Sequence, residues 1–200
     1  MKILAFSDLH LARNKAAALV DASKDADLVI AAGDFCNQRQ GLDLAMAMLN
    51  GIAAPIVAVP GNAESIEELR LAAPSNMHTL HGSGIEIDGL QVFGLGYGIP
   101  PTPFGDWSCD LSESDADMLL APCQAADILI FHSPPKGVAD RTSTGASVGS
   151  EALREAVARL QPRLVVCGHI HDSWGEEGTI GRSQVVNLGP RSNWFDLSTE

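Results

Sequence analysis

Seven residues combine a useful chemistry with a regular position. Asp8, His10, Asp34, Asn62, His132, His169 and His171 each follow closely on a short apolar run. Imidazole nitrogen, carboxylate oxygen and amide oxygen are all ligands for divalent cations. Four of the six histidines in the chain fall in this set, so the grouping is positional rather than compositional. One metal takes about four to six ligands. Seven donors, including a carboxylate able to bridge, therefore suit two metals about 3.5–4 Å apart. No cysteine belongs to the set, which argues against a closed structural zinc site.

The apolar runs must bring these donors together. Leu28-Val29-Ile30-Ala31-Ala32 is too short for a typical helix and reads as a strand buried on both faces, ending in Gly33-Asp34. Open α/β sheets place their ligands at such carboxyl ends. Similar runs at residues 2–7, 55–60, 127–131 and 163–167 lead to Asp8-Leu9-His10, Gly61-Asn62, His132 and Gly168-His169-Ile170-His171. Helical patterns at residues 12–23 and 42–49, and a third behind the capping box of Ser65 and Glu68, alternate with the first strands. That alternation implies parallel pairing through right-handed crossovers.

The pattern then changes. A short strand is expected at 77–80 and a hairpin at 85–93, turning at Asp88-Gly89. Helices are expected at 113–120 and behind Ser150, and small strands at 179–180, 184–187 and 194–197. Residues 98–112 and 136–149 have no regular pattern, and loops of that length are often functional. The expectation is one α/β domain over residues 1–200 with mixed strand pairing.

Length and composition set the outer bounds. Two hundred residues bury a sizeable core, and 46% hydrophobic with 19% charged residues describes an ordinary globular chain. A net charge of −12 argues against generic nucleic-acid binding, which needs Lys and Arg on phosphates. An anionic substrate fits only where bound cations invert the local field. Ser7-Asp8 interrupts the opening apolar run, so a signal peptide is not expected. No run approaches the roughly 18 apolar residues of a membrane span. With four cysteines and no Cys-x-x-Cys pair, the expectation is a reduced, cytoplasmic protein without membrane association.

Asp-x-His, Gly-Asp, Gly-Asn, a lone His after a strand, and Gly-His-x-His, in that order, resemble the calcineurin-like metallophosphoesterases. The likeness runs from Asp8 to Asn187. The segment from His132-Ser133-Pro134-Pro135 to Asn187-Leu188-Gly189-Pro190 is most similar to the small bacterial and archaeal Icc-related branch. The resemblance implies an α/β four-layer sandwich of two mixed sheets flanked by helices. It also implies two divalent cations, manganese, iron or zinc. Asp8, His10, Asp34 and His171 would hold one and Asp34, Asn62, His132 and His169 the other, with His10 and Asn62 counted as catalytic too. The implied activity is hydrolysis of a small phosphoester or nucleotide-like substrate, a phosphodiester before a monoester, by a hydroxide between the metals.

One position departs from the family pattern. Gly-Asn is usually followed by His and then an acid; here Ala63 stands in place of the His, and Glu64 remains. Loss of a general acid costs roughly 10²–10⁴-fold, which favours substrates with good leaving groups. His78, His81 and Arg13 are the replacements the sequence offers, although His78 and His81 otherwise read as surface or sheet-edge residues. The alternative is a fold retained as a binding or scaffold module; Ala63 favours it and the intact donor set opposes it. Cys36 reads as a buried filler near the donors, and Cys109, Cys123 and Cys167 as packing. Phe104 and Trp107 either stack on a substrate ring or pin their loop to the core. Gly94-Leu95-Gly96-Tyr97-Gly98 follows a hairpin strand and opens no helix, so it is not a dinucleotide-binding turn.

Overall fold

Alternation along each strand sorts the apolar side chains into three layers of core. A computed structural model describes residues 1–198. Its first sheet is built from β1 (Lys2–Phe6), β2 (Leu28–Ala31), β3 (Ile56–Ala58) and β4 (Met77–Thr79). These pair in parallel in that order. The second sheet holds β5 (Ser83–Ile87), β6 (Leu90–Leu95), β7 (Ile128–Phe131), β8 (Leu164–Cys167), β9 (Glu177–Ile180) and β10 (Ser183–Asn187). Its order is β5-β6-β7-β8-β10-β9, parallel from β6 through β10 with an antiparallel strand at each edge. β11 (Asn193–Asp196) returns to the first sheet, antiparallel to β1. Both sheets are mixed, as expected.

The two sheets face each other across Ile3, Leu28, Ile30 and Val57 on one side and Val92, Ile128, Ile130, Leu164 and Val166 on the other. The odd-and-even alternation turns Leu4, Phe6, Val29 and Ala31 outward, under α1 (Arg13–Ala22), α2 (Leu42–Leu49) and α3 (Ile66–Ala72). It likewise turns Leu129, Phe131, Val165 and Cys167 under α4 (Glu113–Leu120) and α5 (Glu151–Leu160). Four layers result. Ser65 caps α3 through the Glu68 amide while the Glu68 carboxylate accepts from the Ser65 amide, so the helix starts where the capping box places it. No helix among the described residues is long and apolar enough to cross a membrane.

Candidate metal centre

β1, β2 and β3 end side by side in one sheet and β7 and β8 in the other, and the loops beyond these ends meet across the sandwich. His132 follows β7 directly and its Nδ1 lies 2.8 Å from the Ala32 carbonyl beyond β2. The His169 amide beyond β8 donates to Asp8 Oδ1 beyond β1 at 3.1 Å. The two sheets are thus tied together through the candidate ligands themselves. The turns are tight: Asp8, His10, Asp34 and His169 have φ of 53°, 45°, 59° and 65°. Left-handed backbone at non-glycine residues costs on the order of 1–3 kcal/mol each and persists where surrounding contacts fix it. Gly33 and Gly61 are required by the same crowding. A Cβ on Gly33 would meet the Gly61 backbone, and one on Gly61 would meet the Asp34 carboxylate.

All seven sequence-selected donors converge. Asp34 Oδ2 lies 3.4 Å from His10 Nε2, and its other oxygen, Oδ1, lies 3.5 Å from His132 Nε2. On the first side, His10 Nε2 is 3.3 Å from His171 Nε2, which is 3.8 Å from Asp8 Oδ1. On the second, Asn62 Oδ1 is 3.1 Å from His132 Nε2 and 3.0 Å from His169 Nδ1. Ligand atoms sharing one cation at about 2.0–2.2 Å stand roughly 3–3.5 Å apart, so this spacing fits metal binding. Asp8, His10 and His171, and separately Asp8, Asp34 and His132, bring one ligand atom each within 4.8 Å of one another.

The protonation chemistry fits too. His10 Nδ1 faces the Cys36 carbonyl at 3.0 Å, as His132 Nδ1 faces that of Ala32; a carbonyl only accepts, so in both rings the proton sits on Nδ1 and Nε2 is left to ligate. Burial pushes His169 well below the usual imidazole range and also lowers His171, against the pull of Asp8, so the surroundings disfavour a proton's charge on either ring. Burial works against a charge on His132 as well, yet the Asp34 and Asp8 carboxylates outweigh it and raise its pKa. Those carboxylates favour a positive charge at this point, which a cation supplies as readily as a proton.

Several supporting residues are less visible in the sequence. Glu64 is fully buried and accepts from the amides of Gly61 at 2.7 Å, Asp34 at 2.8 Å and Phe35 at 3.1 Å. One carboxylate therefore clamps the Gly-Asp loop to the Gly-Asn loop. Burial and then the nearby Asp34 charge raise its pKa to about 7. Trp174 Nε1 donates to Asp8 Oδ2 at 3.0 Å, where Ser7 Oγ donates as well, leaving Oδ1 toward His171. Asn187 Nδ2 donates to the carbonyls of Gly168 and Ile170, fixing the Gly-His-Ile-His turn. Glu64 had a sequence signal in its place directly after Gly-Asn-Ala; Trp174 and Asn187 act from outside the donor motifs.

The remaining candidates separate. Cys36 is buried with its Sγ donating to the Ala63 carbonyl at 3.1 Å, and burial followed by the Glu64 charge keeps it a thiol, in keeping with a filler. Cys123 and Cys167 are buried. Cys109 is not simple packing: it is half-buried, with Arg39 Nη1 at 3.5 Å from its sulfur. His78 is exposed on β4, at the sheet edge, and Arg13 is exposed at the start of α1. His81 is half-buried just beyond the edge strand β4. Its ring packs 4.3 Å from that of Tyr97, its Nδ1 accepts from the Gly96 amide, and burial drives its pKa to about 4. None of these three hydrogen-bonds to a candidate ligand among the described residues. Ala63 itself is buried, its amide donating to Asp34 Oδ1 and its carbonyl accepting from Arg39.

The family model of the calcineurin-like phosphoesterase superfamily domain matches residues 1–198. The chain belongs to that superfamily. The family uses divalent metals, and this chain carries candidate groups of metal ligands. It is 34% identical over 122 residues to human metallophosphoesterase domain-containing protein 1, an alignment covering 58% of this chain and 35% of the relative. The chain spans about a third of the length of the curated relatives it matches, 32% and 35% for the first two. Among solved structures, TT1561 of Thermus thermophilus superposes with a TM-score of 0.74 at 17% identity, covering 98% of both chains. A dimetal phosphatase from Danio rerio superposes with a TM-score of 0.64 at 16% identity, over 95% of this chain and 88% of that one. At these identities the structural matches establish the fold, the four-layer sandwich with mixed sheets.

Proposed function

We propose that this chain is a dinuclear, metal-dependent phosphodiesterase, formed as one domain over residues 1–200. The observation that carries the reading is Asp34, whose two oxygens face His10 on one side and His132 on the other. Asp8, His10, Asp34 and His171 make one site; Asp34, Asn62, His132 and His169 make the second. Manganese, iron and zinc all suit such mixed nitrogen and oxygen donors. When bound, two divalent cations supply a hydroxide nucleophile at neutral pH and offset the charge growing on the phosphoryl oxygens. The chain's own part is positional. The His10 and His132 Nδ1 protons hold their rings with Nε2 inward, and Glu64 fixes the backbone that carries Asp34.

Two features favour diesters with good leaving groups. No lysine or arginine side chain hydrogen-bonds or ion-pairs with the seven donors among the described residues, so the cations would be the main offset to substrate charge at the donors themselves. A monoanionic diester needs less offset than a dianionic monoester. Ala63 supplies no proton to a departing alkoxide, so leaving groups that are stable as anions are preferred. In the test, protein supplied with manganese hydrolyses bis-p-nitrophenyl phosphate, and Asp34→Asn loses on the order of 10³-fold, the scale of removing a principal electrostatic group. Rates at the buffer level across manganese, zinc, nickel and iron would refute the enzyme and favour the binding-module alternative.

A further inference from the structure

The loop over residues 98–112 is stapled to the metal centre. The Cys109 amide donates to the Asn62 carbonyl at 2.9 Å, and Asn62 Nδ2 donates to Ser108 Oγ at 3.0 Å. Ser108 in turn donates to Asp110 Oδ1, and Asp110 Oδ2 accepts from the Thr102 amide and hydroxyl, each at 3.0 Å. The Gly98 amide closes the base of the loop on the Cys109 carbonyl, and the Leu111 amide closes it on Gly98. A polar frame thus holds this segment against a candidate ligand, while Ile99 and Leu111 near its two ends pack on the apolar core under α4 and α5.

That frame presents an aromatic ring to water. Phe104 is 51% exposed. Its ring lies parallel to that of Trp107, with centroids 5.7 Å apart and planes at 4°, and meets His169 edge-on at 6.4 Å. Neither Phe104 nor Trp107 belongs to any of the three apolar cores among the described residues. The pair therefore does not pin the loop to the core; Ile99, Leu111 and the polar frame do that. An aromatic face kept open in water, backed by a second ring and beside a candidate ligand, is built to receive a third ring. Such stacking tolerates any planar group, since every base or aryl ring offers a π face.

We infer that Phe104, backed by Trp107, is the platform on which a planar ring of the substrate stacks, so that the substrate class is a phosphoester carrying a nucleobase or an aryl group. The inference rests on the phosphoester reading above and deepens it. Phe104 acts on specificity: it touches the substrate's ring, away from the reacting phosphorus.

The test is calorimetric binding to the manganese-supplied protein, with five probes: inorganic phosphate, methyl phosphate, phenyl phosphate, ribose 5-phosphate and adenosine 5′-monophosphate. The expected result is that at least one ring-bearing probe binds about tenfold more tightly than its ring-free partner, a gain within the range of base–aromatic stacking. A gain with phenyl phosphate places the ring next to the phosphoryl group; a gain with the nucleotide places it across a ribose. Phe104→Ala abolishes the gain and leaves inorganic phosphate unchanged, while Phe104→Trp keeps it. Equal binding of both members of each pair would overturn the platform, as would a Phe104→Ala variant weakened toward every probe alike. Binding of none of the five, inorganic phosphate included, would remove the phosphoester reading and the platform with it; binding of phosphate without a ring preference removes the platform alone.

Discussion

The two halves of the proposed metal centre share Asp34 and carry two histidines each, and they hold those donors at different depths. Asn62 and His132 are buried, at 2% and 0% exposure, and His132 doubles as a strut between the sheets through the Ala32 carbonyl. His10 and His171 leave 27% and 49% of their side chains exposed. His171 lies in a single turn of 3-10 helix beyond β8, packed on the tilted ring of Trp174 at 4.2 Å. One half is therefore part of the core that happens to carry donors. The other sets two partly exposed histidines around the buried Asp8 and Asp34. On the proposed function, the buried half should survive removal of its cation with little change, and the open half is where solvent and substrate would reach the centre.

The largest effect expected from this contrast comes from cutting one histidine in each half. In the metal-free protein, His132→Ala opens a cavity and leaves the Ala32 carbonyl without its donor, costing about 2–4 kcal/mol. His171→Ala should stay within about 0.5 kcal/mol, as exposed substitutions do. Urea denaturation of both variants measures the difference. Equal losses would erase the distinction between a structural and a surface half.

A smaller effect sharpens it. Trp174 and Ser7 both donate to Asp8 Oδ2 and so direct Oδ1 toward His171. Trp174→Phe keeps a ring against His171 but removes the donor. It should weaken the open site for manganese by roughly tenfold, as loss of a partner to a ligand does, and leave the buried site unchanged. Calorimetric titration resolves the two sites. A uniform loss at both would mean that Trp174 supports the fold rather than Asp8.

Much of this arrangement was legible from residue order, for a physical reason. Strands buried on both faces are short and uniformly apolar, so β2, β7 and β8 stand out, and whatever polar group follows them lies at the carboxyl end of a central strand. The Ser65 and Glu68 box marks the start of α3 because capping is local. What escaped was set by contacts distant in sequence. The Trp174 bond to Asp8 spans 166 residues, and the half-buried His81 packs against Tyr97 by the way β6 and the following turn fold back. Glu64 was visible as a residue and not as a clamp, because its partners lie on a loop about 30 residues away. The role of Phe104 depended on knowing that the polar frame, Ile99 and Leu111 anchor its loop and leave the Phe104 and Trp107 rings outside the cores.

Asp34 carries the central claim, that one carboxylate joins two unequal metal sites. The direct measurement is a manganese titration of the metal-free protein followed by electron paramagnetic resonance. The account predicts two ions per chain, with a spin-coupled signal growing as the second binds and disappearing in Asp34→Asn. One ion per chain at saturation, or two ions whose signals stay uncoupled in the unaltered protein, would contradict it.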